Sequence, residues 1–92
     1  MSTTADQNPF ESSVRLAMQD LQQRLGIDQG SITLLEARPV VWPDRSLGCP
    51  QPGVNYPQVQ QPGVLIRLAA QGREFAYHAG GARSPFLCQT TG

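Results

Sequence analysis

A chain of 92 residues with an apolar fraction of 39% has room for one modest core and no second domain. Seven basic residues, all arginine and scattered along the chain, balance seven acidic ones, which excludes the clustered cations on which nucleic-acid or anionic-membrane binding rests. No stretch approaches the roughly 20 apolar residues of a spanning helix, and only 15% of residues are charged, so neutral polar side chains must cover the surface.

Residues 1–7 are small and polar and read as a disordered tail ahead of a single domain over residues 8–92. The tail carries no Lys or Arg and leads into no apolar run of signal-peptide length. As written the chain is expected in the cytoplasm, and in an exported or periplasmic setting if a signal has been trimmed.

Asn8, Pro9, Phe10 and Glu11 place an Asn at the N-cap, a Pro at the first helical position and a Glu at the third, the residue types suited to the orphan amides of a helix start. Phe10, Val14, Ala17, Met18, Leu21 and Leu25 then recur at three- and four-residue steps and share one side of a helix. Gly26 can adopt the left-handed conformation that ends it, with Ile27 folding back onto the last turn. The spacing predicts a helix over residues 9–25 whose apolar stripe covers a sheet.

Ser31 to Trp42 is rich in β-branched and apolar residues, but its alternation changes phase between Leu34 and Leu35, and Pro39 cannot donate to a ladder. A bent or bulged strand is expected. From Val64 to Ala70, Val64, Ile66 and Leu68 alternate with Leu65, Arg67 and Ala69. Gln71, Gly72 and Arg73 supply a short turn, and Glu74 to Ala79 completes a hairpin in which Phe75 and Tyr77 alternate with Ala76 and His78. Gly80 and Gly81 form the next turn, and Pro85 directs a last strand, Arg83 to Gln89, to an edge. The expected class is α+β: an N-terminal helix packed on a three- to four-stranded antiparallel sheet, with a long Pro/Gly-rich loop after the first strand.

That loop, residues 43–63, holds Pro43, Pro50, Pro52, Pro57 and Pro62, and the string Gln51-Pro52-Gly53-Val54 returns as Gln61-Pro62-Gly63-Val64. Pro followed by Gly suits the two central positions of a type II turn, so two such turns are expected. Loops of this length in a small domain are either functional or disordered.

Few groups here could carry chemistry. His78 is the only histidine, and it reads as a cross-strand polar residue at a sheet surface; Ser46 and Cys49 are the nucleophiles a fold could bring to it, yet no nucleophile elbow accompanies either. Asp44 and Glu36 are separated by a bent strand and a proline, and Asp44 suits a turn in which it accepts from amides two or three residues on. No metal and no cofactor are expected, because Cys49, Cys88 and His78 fall short of the about four soft ligands of a structural zinc site. The two cysteines read either as buried free thiols or as a disulfide closing a loop of 88 − 49 = 39 residues, worth about 4 kcal/mol by chain entropy.

The segment Val41-Trp42-Pro43-Asp44-Arg45-Ser46-Leu47-Gly48-Cys49-Pro50-Gln51-Pro52-Gly53 resembles a family of small uncharacterised bacterial proteins with a W-P-D-x-S-L-G-C-P-x-P-G pattern. The resemblance runs on through Tyr56, Pro62-Gly63, the hairpin with Phe75, Tyr77 and His78, and Phe86-Leu87-Cys88, covering residues 32–88. It implies a common fold and a Cys49 to Cys88 bridge, and it implies no established activity. Relatives of this type often follow an export or lipoprotein signal.

The sequence thus points to a binding module, in which the proline loop is stiff enough to lower the ordering cost of recognition and presents Asp44, Arg45, Val54 and Tyr56 to another protein. Rigid loops of this kind include those of protease inhibitors, an analogy at the level of shape alone. A structural or accessory role in a larger complex is the alternative, with Trp42 and Tyr56 buried under the loop. A thiol enzyme or redox protein using Cys49 is the third, and needs an accessible thiolate. The oligomeric state is not specified.

Overall fold

A computed structural model describes residues 10–81 and 83–88. The elements in chain order are α1 (Glu11–Leu25), a 3₁₀ turn (Gln29–Ser31), β1 (Thr33–Trp42), β2 (Gln61–Ala70), β3 (Arg73–Gly80) and β4 (Arg83–Leu87). The strands form one antiparallel meander in the order β1-β2-β3-β4, with α1 packed against one face.

The apolar stripe of α1 does what its spacing dictates. Ala17 and Leu21 are fully buried and join Ile66 and Leu68 of β2 and Phe75 and Tyr77 of β3, with Val14, Met18, Leu25 and Leu87 at the margin. The Tyr77 hydroxyl, carried into this core, donates to Asp20 of the helix at 2.7 Å, and Asp20 also accepts from Arg24. Burial pushes the Tyr77 phenol well up, and the hydrogen bond to the carboxylate adds to it. Burial also opposes ionisation of Asp20, but the hydrogen bonds from Tyr77 and Arg24 outweigh it and leave that carboxyl below its ordinary value.

The helix ends as expected: Gly26 sits at φ 65°, and the N–H groups of Gly26 and Ile27 both reach the Gln22 carbonyl, at 2.8 and 3.3 Å. It begins two residues later than expected, at Glu11, with Phe10 in the N-cap position. The Asn8-Pro9 signal and the tail over residues 1–7 lie outside the described residues.

β1 carries the expected bulge. Leu34 pairs with Leu68, but the next pair is Glu36 with Arg67, so Leu35 is the extra residue. This slip resets the alternation of the rest of the strand. It turns Glu36 towards Arg67, which it meets at 2.9 Å, and turns Trp42 onto the face opposite the helix. Gln71 and Gly72, both at positive φ (55° and 72°), make the two-residue turn between Ala70 and Arg73, and this fixes the β2–β3 register. β4 lies at the edge, as Pro85 requires, and closes at Leu87; Gln89 lies outside the described residues.

One expected turn is absent. Pro52-Gly53 forms its turn, with Gly53 at φ 79° and the Val54 N–H on the Gln51 carbonyl at 3.2 Å. Pro62-Gly63 does not: β2 starts at Gln61, and Pro62 and Gly63 pair with Val41 and Val40. The physical reason is what rests on Gly63. A Cβ there would come within 2.1 Å of the Ala79 carbonyl oxygen and 2.4 Å of the Trp42 indole nitrogen, so the glycine serves close packing across strands. The loop is correspondingly shorter, spanning residues 43–60. No helix among the described residues is long and apolar enough to cross a membrane.

Candidate functional site

The face away from α1 is roofed at one end by the connection after β1. Gly63 of β2 and Gly80 of β3 are directly paired, which leaves a patch of sheet without side chains. The Trp42 indole fills it: a Cβ at Gly80 would approach the ring at 3.2 Å, and the ring nitrogen donates to the Ala79 carbonyl at 2.9 Å. His78 stacks on the indole with centroids 4.5 Å apart and planes 12° apart, and Phe86 of β4 tilts against the imidazole at 6.2 Å.

The loop then closes over this stack. The Asp44 carboxylate accepts from the Ser46 amide at 2.9 Å and from the Ser46 hydroxyl at 2.5 Å, and these bonds hold it below the ordinary carboxylate range. Leu47 adopts φ 56°, a conformation that costs a side-chain-bearing residue on the order of 1–3 kcal/mol, and Gly48 follows at φ 75°. Two contacts offset that cost. The Leu47 side chain is buried, and its carbonyl accepts from His78 Nδ1 at 2.6 Å; a carbonyl can only accept, so Nδ1 carries the proton. At Gly48 a Cβ would sit 2.5 Å from the indole, so this position too must stay bare.

Cys49 and Cys88 form a disulfide with Cα atoms 5.9 Å apart, and the Cys88 N–H donates to the Ala76 carbonyl at 2.8 Å. The bridge ties the end of this roof to the strand pair β3–β4. Of the two readings of the cysteines the disulfide holds, and the described residues contain no free thiol.

Beyond Cys49 the connection leaves the sheet. Residues 50–60 are exposed apart from Tyr56, which is half-buried, where full exposure was expected. Its hydroxyl accepts the Gln51 N–H at 3.3 Å, and the Arg45 N–H donates to the Pro57 carbonyl at 3.2 Å, clasping the outer segment at two points besides the Pro52-Gly53 turn. Val54 and Val59 are 49% and 50% exposed.

The residues singled out from sequence thus separate. Asp44 is engaged within its own turn, as expected for it; Arg45 and Val54 are exposed, and Tyr56 braces the loop. His78 is not a surface residue: it is buried, because Trp42 and the roof cover it, and its Nδ1 is engaged by a backbone carbonyl. The Ser46 hydroxyl faces Asp44, so neither Ser46 nor the bonded Cys49 meets His78 as a nucleophile meets a base. At the far end of the same face Arg67 bridges Glu36 and Glu74 at 2.9 and 2.6 Å, and its hydrogen bond lowers the Glu36 carboxyl.

Sequence reasoning gave no functional role to Gln61, Gly80 or Arg83. With Arg45, Leu47 and Gly81 they line a cleft of about 400 Å³ between the roof, the start of β2 and the β3–β4 turn.

A family model described as Domain of unknown function (DUF8738) matches residues 14–88. The chain belongs to that family. The DUF8738 match runs from within α1 to Cys88, and so takes in the whole sheet, the roof and both ends of the disulfide. No curated protein and no solved structure matches the chain.

Proposed function

We propose that this chain is a non-enzymatic protein-binding module that presents the outer part of its disulfide-pinned loop, residues 50–60, to a partner protein. One observation carries the reading. Val54 and Val59 stand out of a segment that pairs with no strand, yet the segment is clasped by the Pro52-Gly53 turn, the Tyr56 hydroxyl, the Arg45–Pro57 bond and the Cys49 anchor. Apolar side chains exposed on a pre-shaped loop can bind without the cost of ordering it. Asp44 and Tyr56 act here by shaping the loop, and Arg45 and Val54 by touching the partner.

The disulfide supports an oxidising compartment as the place of action, and with it the exported or periplasmic setting, since such bonds are rare in the cytosol. A photoreactive residue at position 54 should crosslink one recurrent partner, and Val54→Ala with Val59→Ala should abolish capture while the melting temperature stays put. Unchanged capture by the double variant refutes the reading.

A second reading, an accessory subunit of a larger assembly, is favoured by the outer edge of β1, where Leu34, Leu35 and Val41 are exposed. Sedimentation velocity separates the two: an assembly that dissociates on Val41→Lys and is indifferent to Val54→Ala supports the accessory role.

A further inference from the structure

The cleft beside the roof has the size of a small-ligand site and an unusual wall. Arg45 and Arg83 both line it, together with the Gln61 carboxamide, the Leu47 side chain and the backbone of Gly80 and Gly81, and no carboxylate of the described residues lines it. Arg15, Arg24, Arg38 and Arg67 each sit within 4 Å of a carboxylate. Arg45, Arg73 and Arg83 have no such partner among the described residues, and of these three Arg45 and Arg83 line the cleft. Asp44, next to Arg45 in the chain, is engaged through Oδ1 with Ser46.

One cation is stacked in place, and the other is fixed at its backbone. The Arg83 guanidinium lies over the Phe86 ring at 3.9 Å, and Phe86 itself packs on His78. Stacking of this kind leaves the N–H edge of the guanidinium available to a ligand in its plane. The Arg45 backbone is tied to Pro57. The glycines keep the cleft open: a Cβ on Gly81 would sit 3.0 Å from the Gln61 side-chain nitrogen, and one on Gly80 3.1 Å from Leu47.

We propose that this cleft is an anion site that takes a carboxylate, with Arg45 and Arg83 on the two oxygens, the Gln61 amide as a further donor and Leu47 against the apolar stem behind the charged group. Planar guanidinium forks match a carboxylate in two parallel hydrogen bonds. The site shares Arg45 with the loop reading above and is otherwise distinct from it, because neither Val54 nor Val59 lines it.

The test is a titration of the full chain, followed by amide and side-chain chemical shifts, with succinate as the probe at low salt and at about 0.15 M. The account expects saturable shifts at Gly80, Gly81, Arg83 Nε and the Gln61 amide, and a weakening of about tenfold in Arg83→Gln and in Arg45→Gln. Arg83→Lys should fall between, since it keeps the charge and loses the fork, while Arg73→Gln and Val54→Ala should bind as the parent does. A short peptide with a free C-terminal carboxylate, set against its amidated twin, identifies the source. Preference for the free peptide over succinate assigns the site to a protein terminus, and the reverse order assigns it to a small acid. No saturable shift, shifts unaffected by Arg83→Gln at unchanged melting temperature, or binding of inorganic phosphate without succinate would overturn the proposal.

Discussion

Residues 44–49 and 50–60 belong to one proline-studded connection, yet they live by different physics. The inner part is fixed by burial: Ser46 and Leu47 are inside, Leu47 holds His78 through its carbonyl, and Gly48 is pressed on the indole. The outer part buries little and is fixed by backbone geometry and a few hydrogen bonds, with its valines left in water. The contrast teaches that one length of chain can supply both a second small core for the open face of a sheet and a pre-shaped surface, provided that a covalent anchor stands at the join. Cys49 is that join.

Removing the anchor should blur the contrast most. Replacing both cysteines by serine is expected to cost about 4 kcal/mol of stability, read by urea denaturation, and to raise amide exchange in the outer part more than in the inner part. Equal loosening of both parts would mean that the Trp42 stack cannot hold the roof alone. Next, Gly63→Ala, which forces a methyl group between Trp42 and Ala79, should cost about 2–3 kcal/mol and expose the tryptophan to acrylamide. A smaller, pH-dependent effect belongs to Asp44. Its carboxyl in the folded chain lies below the ordinary 3.8, so its contribution is present above that value and is lost as pH falls through the depressed one. An amide-shift titration of Ser46 should therefore show a midpoint under 3.8, and Ser46→Ala should move the Asp44 midpoint back up; an unmoved midpoint would break the turn as described. Smallest is the double change Val54→Ala and Val59→Ala, within about 0.5 kcal/mol, since both side chains already face solvent.

Much of this was legible in the sequence. The helix stripe, the bulge at Leu34–Leu35, the edge position of the strand with Pro85 and the capping work of Asp44 each follow from local pattern and chemistry. Pro62-Gly63 was misread because a Pro-Gly pair looks the same whether its glycine supplies a positive φ or a bare surface. The signal that separates the two was present but long-range: counting back from the Gln71-Gly72 turn sets Gly63 opposite Gly80, and a pair of facing glycines needs a ring to cover it. Burial of His78 follows only once Trp42 is placed on that pair. The cleft joins residues from the roof, β2 and the β3–β4 turn, and no local pattern announces such a meeting.

The most direct test is the backbone order parameter along residues 43–60, from ¹⁵N relaxation of the oxidised chain. Values near 0.85 through both the inner and the outer part are what the account predicts. Values below about 0.6 across residues 50–60, beside a rigid inner part, would contradict a pre-shaped recognition surface.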